Sequence, residues 1–175
     1  MSFSNVIPVL LGLGSNKSFA GHAPAVVLAG ACAAIQKLLT APVFSSIYRT
    51  KPLYVTAQDD FFNMAVYGTV PAAMTPHELL THMQKIEAQF GRNRAEEIRF
   101  GPRSLDIDIE TFGDLTVNEA DLIIPHPRLA ERAFVLVPAL EIIPHTAHEK
   151  NRERYAAALA QLADHGVEYY APPPC

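Results

Sequence analysis

Two carboxylates stand one residue apart in Leu105-Asp106-Ile107-Asp108-Ile109. Apolar and acidic residues alternate there as they do on a half-buried strand, where residues i and i+2 share a face. Asp106 and Asp108 therefore project together, while Leu105, Ile107 and Ile109 enter a core. Adjacent carboxylates repel each other unless a cation lies between them. Their hard oxygens suit Mg2+, which takes one or two carboxylates and completes its shell with phosphate oxygens and water. Taken alone, the pattern also describes a solvated strand face. The residues just upstream favour the chemical reading. Arg92, Arg94, Arg99 and Arg103 are four of the chain's nine arginines, and Glu96 and Glu97 leave the segment positive in a chain of net charge −4. Arginine is the residue for forked recognition of phosphate. Gly91 and Gly101-Pro102 bracket the segment like the hinges of a closing loop. A polyphosphate held through metal by the aspartates and through charge by the arginines accounts for both features.

Other chemistry finds less support. Gly12-Leu13-Gly14-Ser15-Asn16-Lys17-Ser18 follows an apolar run, but the dinucleotide fingerprint would need glycine at Lys17, and a P-loop would need it at Leu11 and Asn16. The segment reads as a tight strand-to-helix turn. His145 and His148 have no further metal ligand evident beside them, and no nucleophile elbow or supported Cys/His pair is present.

The elements that must position these residues are legible from periodicity. Val6 to Leu13 reads as a central strand. A helix follows with Pro24 in its first turn and Val27, Ala31, Ile35 and Leu38 on one face. Phe44 to Arg49 and Phe62 to Val70 read as strands. Thr75-Pro76-His77-Glu78 is a capping box opening a second helix, whose core stripe is Leu79, Met83, Ile86 and Phe90 and whose stop is Gly91. Leu105 to Phe112 is a strand turned at Gly113-Asp114. Leu129 to Leu140 reads as a helix start running into buried chain, and Glu149 to Asp164 as a helix burying Tyr155, Leu159 and Leu162. The order βαββαβ with helical additions is the ferredoxin-like pattern, an α+β architecture of helices on an antiparallel sheet. One domain over residues 1–175 is expected, with about 166–175 as a loose tail ending Pro172-Pro173-Pro174-Cys175.

Composition sets the bounds. With 175 residues, 49% hydrophobic and 18% charged, the chain is of globular type. Lys+Arg of 14 against Asp+Glu of 18 argues against nucleic acid as partner. Two cysteines cannot build a disulfide framework, which fits a reducing, cytoplasmic setting. The most apolar stretch, Ala23 to Ile35, is too short for a membrane span, and no targeting segment is expected.

Arg92-x-Arg94 followed by Phe100-Gly101-Pro102-Arg103-Ser104-Leu105-Asp106-Ile107-Asp108 resembles the signature of the 6-hydroxymethyl-7,8-dihydropterin pyrophosphokinases of folate biosynthesis. Gly12 to Asn16, Ser45 to Leu53, Phe61-Phe62-Asn63 and Ile124-Pro125-His126-Pro127 match that family in order and spacing, so the resemblance covers nearly the whole chain. It implies transfer of the terminal two phosphates of ATP, as a unit, to the hydroxymethyl oxygen of the pterin, with AMP leaving. It further implies two Mg2+ ions on Asp106 and Asp108, with Arg92 and Arg103 steadying the transferred group. Arg94 and Arg99 would belong to the closing loop, and Gln84, Glu87, Ile107, His126 and Arg132 would line the nucleotide side. For the pterin it implies Phe100 and Phe134 on the ring faces, Asn63 with the backbone of Thr50 and Leu53 at the edge, and Phe61 beside it. Phe100 stands where the family commonly has tryptophan, Phe61 where it has tyrosine, and Lys51 and Tyr54 where it has proline and glycine. ATP and the pterin are the expected partners of a monomer.

Two other classes fit the pattern less well. A nucleotidyltransferase of the Gly-Ser plus D-x-D kind would place its Gly-Ser a short loop before the aspartates, whereas Gly14 lies far upstream; it would release pyrophosphate rather than AMP. A non-catalytic ligand-binding module would need neither Mg2+ nor the arginine cluster.

Overall fold

Strand β1, Val6–Ser15, is apolar on both faces, and the sheet is built outward from it. In this computed structural model, residues 5–53, 56–95, 101–144, 149–162 and 166–175 are described. The elements follow as α1 (Pro24–Ile35), β2 (Thr40–Phe44), β3 (Ile47–Thr50), β4 (Phe61–Pro71), α2 (Pro76–Gln89), β5 (Asp106–Phe112), β6 (Val117–Asn118), β7 (Ile123–Ile124), a 3-10 turn at Leu129–Glu131, α3 (Ala133–Ile142), α4 (Glu149–Gln161) and β8 (Glu168–Ala171). The six-stranded sheet runs β5-β1-β4-β3-β8, with β2 beside β4. Its pairings are antiparallel. This is the expected α+β, ferredoxin-like arrangement with four helices on the sheet. Among the described residues no helix is long and apolar enough to cross a membrane.

Strand parity divides the core in two. Val9, Leu11 and Leu13 of β1, Met64 and Val66 of β4, and Ile107 and Ile109 of β5 pack under α1 and α2. Leu10 and Ala65 face the other way, against Val135, Leu136 and Ala139 of α3 and Tyr155 of α4. Helix α2 starts as its sequence requires: Thr75 and Glu78 form the reciprocal capping box. It ends at Gly91, whose φ of +81° favours glycine and whose Cβ would lie 2.2 Å from the Phe19 ring.

Four expectations are corrected. Gly12 and Gly14 lie inside β1, not in a turn, because the strand continues to Ser15. The strand expected over Phe44 to Arg49 breaks at Ser45-Ser46, where Ser45 Oγ takes the Ala65 N–H at 2.8 Å and the Ser46 N–H turns to Glu141. The Leu129 to Leu140 run divides into the 3-10 turn and α3. The C-terminal segment is not a loose tail: β8 adds to β3, with Arg49 Nη2 2.6 Å from Glu168 Oε2 and the Phe62 and Tyr170 rings 4.7 Å apart edge to face. Asp164, which the sequence placed at the end of the last helix, lies outside the described residues, as do Tyr54, Glu96, Glu97, His145 and His148.

Candidate active site

Along β1 the second sheet face changes from Leu10 to Gly12 to Gly14. Leu10 is covered by α3, but the two glycines contribute no side chain, and a cleft of about 250 Å³ opens over them. A Cβ on Gly14 would sit 3.2 Å from Asn63 Oδ1, and one on Gly12 would sit 2.8 Å from Glu110 Oε1. The register sets Asp106 opposite Gly14 and Asp108 opposite Gly12, with Asn63 and Ala65 on the other side. The same face therefore carries carboxylates along one flank and an amide along the other.

The end of β1 and the loop after it fix Arg103 and Ser104 to this floor. Ser15 Oγ donates to Ser104 O at 2.5 Å, the Asn16 and Lys17 N–H groups donate to Arg103 O, and Asn16 Oδ1 accepts the Arg103 N–H at 2.9 Å. Arg103 Nη1 thereby reaches Asp106 Oδ2 at 2.7 Å. Arg92 bridges Asp106 and Glu87. Glu87, 1% exposed on α2, also takes Arg94 at 2.6 Å and the Ile107 N–H at 2.8 Å. On the far side Arg132 Nη1 lies 3.2 Å from Asp108 Oδ2, with His126 Nε2 3.9 Å from the same oxygen. Arg92, Arg94, Arg103 and Arg132 thus pair with the carboxyls of Glu87, Asp106 and Asp108, while a fourth carboxyl, that of Glu110, lines the cleft without a hydrogen bond among the described residues.

Charge state follows from these neighbours. Burial opposes ionisation of Asp106, but Arg92 and Arg103 outweigh it and hold the carboxyl below its ordinary range. Burial and then the charge of Asp106 push Asp108 up to about 7 against the pull of Arg132. Both side chains sit deep in the cleft yet remain open to solvent through its mouth, 23% and 36% exposed. Burial, with Arg132 next, drives His126 down to about 4, so its imidazole is neutral near pH 7.

Most of the residues singled out in sequence meet here. Arg92, Arg94, Arg103, Asp106, Asp108, His126, Arg132, Thr50, Leu53, Phe61, Asn63 and Phe134 line the cleft. Asn63 Nδ2 donates to Thr50 Oγ1 at 2.9 Å, which gives the buried amide a partner. Arg103 lies 5.9 Å from the Phe61 ring centre and Arg132 5.6 Å from that of Phe134. Glu87 and Ile107 lie behind the lining: Glu87 braces the arginines from below, and Ile107 is a core residue. Gln84 is exposed on α2 and does not line the cleft. Arg99 and Phe100 lie outside the described residues. Glu110 also lines the cleft as the next same-face residue after Asp106 and Asp108, a position whose only sequence signal is that parity. Away from the cleft, His77 Nε2 stands 3.4 Å from Glu119 and 3.5 Å from Asp121, a surface trio close enough to share an ion.

Comparison with known proteins gives a concordant result. The family model of 7,8-dihydro-6-hydroxymethylpterin-pyrophosphokinase matches residues 10–144. A 2-amino-4-hydroxy-6-hydroxymethyldihydropteridine pyrophosphokinase of Methylorubrum extorquens is 40% identical over 163 residues, covering 90% of this chain and 95% of its own. The mitochondrial folate synthesis bifunctional protein of Arabidopsis thaliana is 44% identical over 99 residues, which are 57% of this chain and 17% of that protein. A crystal structure of Plasmodium falciparum HPPK-DHPS shares the fold at TM-score 0.65 and 14% identity, over 92% of this chain and 45% of that one. The chain therefore spans less than half the length of the bifunctional proteins it matches.

Proposed function

The chain belongs to the 7,8-dihydro-6-hydroxymethylpterin-pyrophosphokinase family, and on that premise we propose that it transfers the β,γ-pyrophosphoryl group of ATP to the hydroxymethyl oxygen of 6-hydroxymethyl-7,8-dihydropterin, releasing AMP. The observation that carries the reading is the convergence of Arg92, Arg103 and Arg132 on Asp106 and Asp108 in a cleft that also holds Asn63 and two aromatic rings.

The donor set fits Mg2+: two carboxylates on one strand face, open to solvent, with hard oxygens only. Asp106 and Asp108 would hold the ions, which supply charge neutralisation at the phosphate oxygens when bound. The remaining work falls to the chain's own groups. Arg92 and Arg103 now neutralise Asp106, and each can turn its guanidinium from the carboxylate to a phosphate oxygen. Arg132 stands in the same relation to Asp108. Asn63 holds its amide plane with Thr50 at the edge of the glycine floor, and Phe134 supplies an apolar wall for a flat ring. Arg94 belongs to the phosphate side through its bond to Glu87. Arg99 and Phe100 keep their proposed places on the closing loop and against the pterin ring.

Purified protein with Mg-ATP and the reduced hydroxymethylpterin should release AMP and form the pterin diphosphate. Release of pyrophosphate instead, or no pterin-dependent nucleotide turnover, sinks the proposal.

A further inference from the structure

Glu110 is 0% exposed, lines the cleft, and has no hydrogen-bond partner for either carboxyl oxygen among the described residues. Its backbone is occupied in the ordinary way, with the His126 N–H on its carbonyl at 2.9 Å, so the orphan is the side chain alone. Such a group is costly unless something completes it. The cation that acts on it, Arg132, gives its Nη1 to Asp108, and its buried Nε is without a hydrogen-bond partner among the described residues. Glu110 Oε1 occupies the place a Cβ on Gly12 would crowd, so the carboxyl reaches back from β5 over β1.

Position and chemistry select the ligand. Gly12 and Gly14 are separated by two residues of strand, about 7 Å, close to the width of a fused two-ring heterocycle. Glu110 stands at the Gly12 end of that floor and Asn63 at the Gly14 end. A flat ring on the two glycines has the amide at one edge and the carboxyl at the other. Phosphate oxygens offer no donor to an accepting carboxyl oxygen, whereas a reduced pterin carries ring N–H groups, an amino group and a hydroxyl around its rim.

We infer that Glu110 is a further pterin-contacting residue, its carboxyl accepting a hydrogen bond from an N–H or O–H donor of the ring system bound over Gly12 and Gly14. The inference rests on the proposed function and adds a second edge contact to Asn63. It also accounts for a glycine at position 12, which any side chain would turn against the carboxyl.

The test compares the parent with Glu110→Leu and Glu110→Gln. Each is melted without ligand, then titrated with 6-hydroxymethyl-7,8-dihydropterin in the presence of a non-hydrolysable Mg-ATP analogue, and with the analogue alone. Glu110→Leu removes an unpaired buried carboxyl, so its ligand-free Tm should rise. Its pterin affinity should fall about 10-fold or more, the scale of one lost buried hydrogen bond, with analogue affinity within about 2-fold. Glu110→Gln, which keeps an acceptor oxygen, should lie between. A lower Tm in both variants would make the carboxyl a structural group and overturn the inference. So would pterin affinity in Glu110→Leu within about 2-fold of the parent, or an equal loss for the nucleotide analogue. If the parent itself binds the analogue but no pterin, the proposed function fails with it.

Discussion

Replacing Glu87 by Met should destabilise the fold by about 2–4 kcal/mol, and the structure shows where that figure arises. The carboxylate is 1% exposed and receives the Ile107 N–H at 2.8 Å, together with Arg92 and Arg94. Leaving a buried N–H without an acceptor costs about 1–3 kcal/mol. Breaking a buried ion pair costs about 3–5 kcal/mol when the survivor is stranded, but Arg92 keeps Asp106 and loses only part of that. Arg94, 51% exposed, is screened by water and adds little. For a chain of this length about 1 kcal/mol moves Tm by roughly 2–4 °C, so a fall of roughly 5–15 °C is expected. Urea and thermal unfolding would measure it. Arg92→Met in the Glu87→Met background should cost less than in the parent, with a coupling of about 1 kcal/mol or more, because the two side chains touch. A Glu87→Met protein within about 0.5 kcal/mol of the parent would refute the bracing role, since surface changes fall in that range.

Under the proposed function Asp106→Asn should lower turnover at least about 100-fold, on the scale of one lost electrostatic stabiliser, with circular dichroism unchanged. Because Arg92 and Arg103 then lose a competing carboxylate, metal-free ATP should bind it more tightly than it binds the parent, which calorimetry in EDTA would show. Ile107→Asn, one residue on and 2% exposed, should instead lower Tm steeply by putting an amide into the core. Gly91→Ala should cost about 1–3 kcal/mol in denaturant unfolding, since the position has φ +81° and no room beside Phe19. Burial, with the neighbouring Cys175 next, pushes the Cys32 thiol up, so native protein should label with a thiol reagent at Cys175 alone and at both cysteines in denaturant.

The parts of the fold that repeat locally were legible. Alternation over residues 105–109 gave β5 its two faces, and the capping box with its apolar stripe gave α2 its start and its buried side. Lost signals were those in which one residue type serves two purposes. Gly12 and Gly14 looked like turn residues, yet their use is to leave a strand face bare, and only the covering helix α3 makes that bareness a cleft. The three prolines at 172–174 drew the reading of the C-terminus toward a free tail. The four residues before them form β8, because β3 would otherwise end the sheet with an open edge. Glu110 continues the carboxylate parity by one step, but its surroundings come from chain far along the sequence, the His126 backbone on its carbonyl and Arg132 and Tyr155 beside it. The braces of the arginine segment were out of reach for the same reason: Glu87 meets Ile107 only because α2 packs against β5.

That packing also explains why so polar a cleft is compatible with a stable fold. Four carboxyls on and beneath one strand repel one another when ionised, and burial raises the cost of each charge. Arg92, Arg103 and Arg132 offset this without ligand, and they come from the end of α2, the entry to β5 and the approach to α3. The site is therefore neutralised from three directions before anything binds. Under the proposed function a bound polyphosphate with its metal ions would replace arginine–carboxylate pairs by arginine–phosphate and carboxylate–metal pairs, so the buried charges would be opposed before and after binding. Glu87 lies behind this exchange: bonded to the Ile107 backbone, it can hold Arg92 and Arg94 at the cleft while Asp106 changes partner. Glu110, with no arginine of its own, is the carboxyl this balance leaves over, and it faces the flank of the cleft where the ring is proposed to lie.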